Sequence, residues 1–248
     1  DGHLLYSSSV GGNLDIYSSE ADGRNQKQLT INARENFSPV ATADGRYIVF
    51  VSNRGGAGFN VWRMNVDGSG LKQLTHGANE GGPQLTPDGQ WVVYTLWAVG
   101  KPTIWKVSID GGDPVQLIDK YSKAPIISPD GKQVACSYWD EQLDTKFNIA
   151  IVPIEGGVPV KTFDIPTEIV RWASDGRSLT YIDTRGGVSN IWSQPLAGGP
   201  ARQLTNWKSD RIFNFAWSRD GKQLAVARGV VTNDVVLISD ASRSGSER

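Results

Sequence analysis

The chain has one cysteine, one methionine and two histidines in 248 residues. The lone Cys136 excludes an internal disulfide and any paired-cysteine metal or redox motif. His3 and His76 stand far apart in sequence, and the chain contains no His-Glu-x-x-His, Gly-x-Ser-x-Gly, phosphate-binding Gly-Lys loop or kinase catalytic motif. Charge of one sign is missing too. With 25 basic and 26 acidic residues, the net charge of −1 offers no footprint for nucleic acid or an anionic membrane. No apolar run approaches the ~20 residues of a spanning helix, and no signal-peptide pattern opens the sequence. Direct membrane insertion is therefore not expected, and nothing asks for a cofactor.

Glycine and tryptophan are abundant, at 28 and 9 residues, and long helix-forming stretches are few. An Asp-Gly pair recurs at Asp1-Gly2, Asp44-Gly45, Asp88-Gly89, Asp130-Gly131, Asp175-Gly176 and Asp220-Gly221, at intervals of 43, 44, 42, 45 and 45 residues. So steady a period marks an array of one supersecondary unit, and units of about 40–45 residues with four strand-like segments are propeller blades. In the second unit a short inner segment leads to Ala43-Asp44-Gly45, then to the β-rich run 47–52 and a loop at Asn53-Arg54-Gly55-Gly56. The run 60–64 follows, then Asp67-Gly68, and Leu71-Lys72-Gln73-Leu74-Thr75 closes the unit. These read as strands a, b, c and d of an antiparallel meander. Pro87 and Pro129 preset φ, Asp88 and Asp130 bond back to the backbone, and Gly89 and Gly131 accept positive φ. The aspartates are therefore turn formers rather than ligands.

Strand b is apolar at nearly every position, as between neighbouring blades. Strand c carries aromatics at Tyr17, Trp62, Trp105 and Trp192, read as packing between blades. A polar column precedes them at Asp15, Asn60, Thr103, Asn148, Asn190 and Asp234, expected to bond the preceding loops. The Lys-Gln-Leu-Thr stamp of strand d suits an outermost strand with one wet face and an aggregation-resistant edge.

Strand counting predicts an all-β fold, a six-bladed β-propeller with four-stranded antiparallel blades, the first and last incomplete; seven blades is the alternative. The units fall at about 1–34, 35–78, 79–120, 121–165, 166–208 and 209–240, followed by a polar tail at 241–248. The first unit lacks strand a, and the sixth has a, b and c, the last at 235–239. This pattern is expected of a natural chain that continues upstream and is cut inside a repeat. The alternative is an open ring closed by side-chain packing.

The string Ser/Thr-Pro-Asp-Gly with four apolar residues, then Asn-Arg-Gly-Gly, Asn-Val-Trp, Asp-Gly and Lys-Gln-Leu-Thr, resembles the WD40-like PD40 repeat. That repeat builds TolB-like propellers and those of tricorn and prolyl oligopeptidase-type peptidases. The last unit, from Asp220 through Asp234 to Ser239, resembles the C-terminal propellers of bacterial Ser/Thr protein kinases and transcriptional regulators. The resemblance implies a non-catalytic protein-binding or sensory domain, monomeric within a longer bacterial protein. The alternative it implies is the substrate-gating propeller of a peptidase. It favours a periplasmic or extracytoplasmic site, with a cytoplasmic one open.

A protein or peptide partner is expected on the face where the d–a and b–c loops converge. Trp97, Tyr121 and Trp139 are the aromatic anchors, with Glu35, Glu80 and Arg211 beside them. The loop 139–146 belongs to the same face. Arg54 and Arg185, repeated before Gly-Gly pairs, read as structural. Glu35, Glu80 and Glu168, with Asn36 and Asn79, also admit a reading as a carboxylate ring for a hard cation, the bland alternative being a solvated acidic rim.

Overall fold

The computed structural model describes residues 3–31, 34–56, 58–97, 100–141, 148–165, 169–218 and 221–231. β1 (His3–Ser8), β2 (Asp15–Glu20) and β3 (Lys27–Gln28) form a three-stranded sheet. Four complete sheets follow. The first holds β4 (Asn36–Ala41), β5 (Tyr47–Ser52), β6 (Asn60–Asn65) and β7 (Lys72–Gln73), and the next β8 (Glu80–Leu85), β9 (Trp91–Trp97), β10 (Pro102–Ser108) and β11 (Val115–Gln116). After them come β12 (Tyr121–Ile127), β13 (Gln133–Trp139), β14 (Asn148–Pro153) and β15 (Lys161–Phe163), then β16 (Val170–Trp172), β17 (Ser178–Arg185), β18 (Val188–Pro195) and β19 (Arg202–Gln203). β20 (Arg211–Trp217) and β21 (Leu224–Gly229) make a two-stranded sheet. The pairings among these strands are all antiparallel between sequence neighbours, and the inner strands β4, β8, β12 and β16 lie against one another in turn. The fold is an all-β propeller.

The blade count differs from the expected six. The described residues form five blades, the first three-stranded, and the sixth repeat contributes only the hairpin β20–β21. Its expected strand at 235–239 lies outside the described residues, as do Asp1, Gly2 and Asp220. Two strands alone cannot cover two faces, and β21 keeps alternate residues exposed where other b strands are buried.

The Asp-Gly turns are built as their residue types dictate. Asp44 Oδ1 accepts from Thr42 Oγ1 at 2.6 Å and from the Arg46 amide at 3.0 Å, while Thr42 Oγ1 accepts from the Tyr47 amide at 3.0 Å. Thr86–Asp88 and Ser128–Asp130 repeat this network. Gly45, Gly89 and Gly131 sit at φ of 70°, 71° and 73°, where a Cβ would be strained.

Between blades the core is aliphatic. Leu29 packs with Ile48, Phe50 and Met64 of the next blade, Leu74 with Val92 and Tyr94, and Leu117 with Val134 and Cys136. The d-strand lysines do more than guard an edge. Lys27, Lys72 and Lys161 each donate to a carbonyl in the c–d turn of the following blade, at Asp67, Asp110 and Leu196. Where Val115 replaces that lysine, Lys106 takes over from strand c, reaching the Ile154 carbonyl at 3.0 Å and Glu155 at 2.8 Å.

Candidate functional site

The polar column at the start of strand c organises one end of the blades. Asp15 accepts from Thr30 Oγ1 at 2.7 Å and Gln28 Nε2 at 3.0 Å, both in its own blade, and from Asn36 Nδ2 at 2.8 Å in the next. Asn60 accepts from Gln73 Nε2 at 3.3 Å and donates to the Gly77 carbonyl at 2.6 Å. Asn190 holds Thr205 Oγ1 at 3.0 Å and the Trp207 amide at 2.8 Å. The Gln-Leu-Thr stamp therefore splits its work. Gln and Thr fasten the strand-c residue, and Leu enters the next blade. The threonines also accept from strand-c amides, as Thr75 Oγ1 does from Val61 at 2.9 Å. The stamp was expected to suit an outermost strand with one wet face. Thr30 and Thr75 are in fact buried.

On this scaffold stand the aromatic candidates. β9 is buried from Val92 to Thr95 and partly buried at Leu96, and Trp97 at its end is 47% exposed. Its amide donates to the Asn79 carbonyl at 2.8 Å, so the backbone is fixed while the indole projects. β12 lies against β8 and β9 and brings Tyr121 to the same end. Tyr121 pairs in register with Trp139, the two rings meeting edge to face at 6.2 Å and 73°. After Trp139, Asp140 is buried and pairs with Lys120 at 3.5 Å. A half-exposed indole on one blade and an edge-to-face aromatic pair at the same end of the next are the residue types that dominate binding energetics at protein interfaces.

The acidic candidates do not join it as a ring. Glu35 is exposed, its amide held by Asn53 Oδ1 at 2.9 Å. Glu80 is buried at 3% exposure, its carboxylate accepting from Thr75 Oγ1, from Asn60 Nδ2 at 3.1 Å and from the Gly77 amide at 3.2 Å. It is a connector between blades, which corrects its assignment to the binding surface. The reason is the buried hydroxyl and amide next to it, whose donors a carboxylate satisfies. Asn36 is likewise consumed by Asp15 and Arg54, and Glu168 lies outside the described residues. Among the described residues no group of three His, Cys, Asp or Glu side chains is placed to hold a metal.

Arg211 is exposed at the start of β20, on the incomplete last repeat. Arg54 donates to Asn36 Oδ1 at 2.9 Å and lies over the Phe50 and Trp62 rings, and Arg185 lies over Trp192 while pairing with Asp183 at 2.7 Å. Arg54 thus bonds within its own blade, while the Arg185 side chain is 70% exposed and pairs within its own hairpin. Residues 142–147 of the loop after Trp139 lie outside the described residues.

Comparison with known proteins agrees with this architecture. The Tol-Pal system protein TolB of Francisella tularensis subsp. mediasiatica is 29% identical over 229 residues, covering 90% of this chain and 50% of that protein. Tricorn protease homolog 1 of Streptomyces coelicolor is 31% identical over 101 residues, 40% of this chain and 9% of that protein. The crystal structure of TolB from Acinetobacter baumannii superposes with a TM-score of 0.61 at 18% identity, covering 81% of this chain and 53% of that one. The chain thus spans about half the length of the TolB proteins it matches. Residues 1–121, just under half of the chain, match the family described as the TolB beta propeller domain.

Proposed function

We propose that this propeller is a non-catalytic protein-binding domain of a larger bacterial protein, and that it takes a protein or peptide segment on the face bearing Trp97, Tyr121 and Trp139. The observation that carries this reading is Trp97: a tryptophan 47% exposed at the end of β9, with the Tyr121–Trp139 pair on the following blade at the same end. Relatives named as Tol-Pal system proteins support a role within an assembly. The absence of nucleophile–base motifs in the sequence supports binding rather than catalysis. A sensory or docking role beside a kinase or regulator domain is the finer form of the same reading, carried by the resemblance of the last repeat.

The test is a displayed peptide library panned against the chain. Selected peptides are expected to lose about tenfold or more in affinity on Trp97→Ala, a change of about 1.4 kcal/mol or more. They should keep their affinity on Arg46→Ala, an exposed change at the opposite turns. Binding indifferent to Trp97, Tyr121 and Trp139 would overturn the site. A second reading, the gating propeller of a peptidase, is favoured by the match to the tricorn homolog. A hydrolase domain encoded beside this propeller in its gene would establish that reading in place of the first.

A further inference from the structure

Register gives one inner-strand position its counterpart in five repeats. Val40 pairs with Val49, Gln84 with Val93, Ile126 with Ala135, Arg171 with Thr180 and Ala216 with Ala225. Val40 and Ile126 pack against apolar clusters between blades, and Gln84 is neutral. The fold therefore asks for no charge at this position. Arg171 nevertheless brings a guanidinium there, where β16 meets β20 of the last repeat.

Every group that meets this guanidinium is neutral. Nη1 donates to the Val170 carbonyl at 2.8 Å and Nη2 to Asn214 Oδ1 at 3.1 Å, and the Phe215 ring centre lies 5.8 Å away. Arg54 and Arg63, the other described arginines of intermediate exposure, each have an acid: Asp15 acts on Arg54, and Asp110 stands 3.4 Å from Arg63. Burial lowers the pKa of Arg171 with no carboxylate opposing the shift. A partly desolvated charge without a counter-charge costs stability. Asn214 completes a set of donors. Its Oδ1 also accepts from the Phe215 amide at 2.9 Å, so two donors fix which way the side-chain amide points. Its Nδ2 donates to nothing among the described residues, and Asn214 is exposed at the register shift of β20.

We propose that Arg171 and Asn214 form a carboxylate-binding site between the inner strands β16 and β20. The planar guanidinium and the adjacent amide offer N–H groups to the two oxygens of one carboxylate, a charge-assisted pairing for which arginine is suited. The ligand supplies the counter-charge that the described residues withhold. A small organic acid and a peptide carboxylate meet the same donors, and the experiment separates them. The site is distinct from the face bearing Trp97 and does not rest on the function proposed for that face.

Succinate is titrated into the full chain at constant ionic strength, and backbone amide NMR shifts are followed at residues 170–171 and 214–215. Acetylated tetra-alanine is titrated in parallel, once with a free C-terminal carboxylate and once amidated. Saturable shifts in the millimolar range are expected with both carboxylates and none with the amidated peptide. Tighter binding of the free-terminus peptide assigns a peptide source, and tighter binding of succinate a small acid. Arg171→Gln should weaken binding about tenfold or more, and Trp97→Ala should leave it unchanged. A second measurement needs no ligand. Arg171→Met fits a position that holds Val40 and Ile126 in other blades, so its urea midpoint should stand at or above that of wild type. Three results would each overturn the proposal: no saturable shift up to about 100 mM carboxylate, shifts indifferent to Arg171→Gln, or a urea midpoint lowered by Arg171→Met. The last would mean that the chain itself supplies the counter-charge or uses Arg171 as a tie between blades.

Discussion

Asn60 Nδ2 donates to Glu80 Oε2 at 3.1 Å, tying the third strand of one blade to the inner strand of the next. One blade earlier the same bridge runs from Asn36 Nδ2 to Asp15 Oδ1 at 2.8 Å, with the acid and the amide on exchanged strands. The structure preserves a donor facing an acceptor across the interface, not a residue type at a position. Each such bridge sits at the end of the blades that presents Trp97 and Tyr121, so it fixes the spacing of the loops there.

Glu80→Ala should destabilise the protein by about 1–3 kcal/mol, because the Thr75 hydroxyl, the Asn60 amide and the Gly77 amide lose their acceptor in a buried site. Glu80→Gln, which keeps one acceptor oxygen, should cost less. Urea midpoints at unchanged slope measure this. A Glu80→Ala midpoint equal to wild type would return Glu80 to the binding surface.

Asp44, Asp88 and Asp130 are each held below the ordinary carboxylate range, chiefly by the hydroxyl of Thr42, Thr86 or Ser128 and next by a turn amide. A folded-state value below the unfolded one contributes stability that is present above the unfolded pKa of about 3.9. It is lost as pH falls through the folded value. Thr86→Ala removes the main donor to Asp88, so it should lower stability at pH 7 and flatten the loss between about pH 4 and pH 2. Urea midpoints at the two ends of that window test it. A parallel drop at both would show that the hydroxyl acts only through its bond to the Trp91 amide.

Burial pushes the Cys136 thiol up to about 12, against about 8.5 for a free cysteine. The native protein should therefore leave a thiol reagent unconsumed at about pH 8, and the urea-unfolded chain should consume one equivalent. Rapid native labelling would show that the β13 core opens locally.

The propeller was legible because its turns are local. Thr42, Asp44 and Gly45 complete their network within a few residues, so the period and the hairpins can be read directly. The lysine stamp was not. Lys27 and Lys72 meet carbonyls 40 and 38 residues onward, and nothing near them in sequence marks the partner. Glu80 misled for the same reason, since its burial comes from Asn60 in another strand of another blade. Trp97, Tyr121 and Trp139 were legible as strand ends. That Tyr121 and Trp139 face each other follows from the β12–β13 register, which contains a shift between Lys123 and Ile126. The blade count was the weakest inference, because it depended on strands at both ends of the array.

The stamp leucines offer a graded test of how far the array extends. Leu74 is 2% exposed and packs among Val92, Tyr94 and Val107 of the next blade. Leu204 holds the same place in the fifth blade and is 49% exposed, with the hairpin β20–β21 following it among the described residues. Leu74→Ala should cost about 2–5 kcal/mol, the loss of a buried leucine with its cavity. Leu204→Ala should fall within about 0.5 kcal/mol of wild type, as an exposed substitution does. Both are read from urea midpoints on the same chain. Equal losses would mean that Leu204 is covered in solution, and that the last repeat builds a full blade against the fifth.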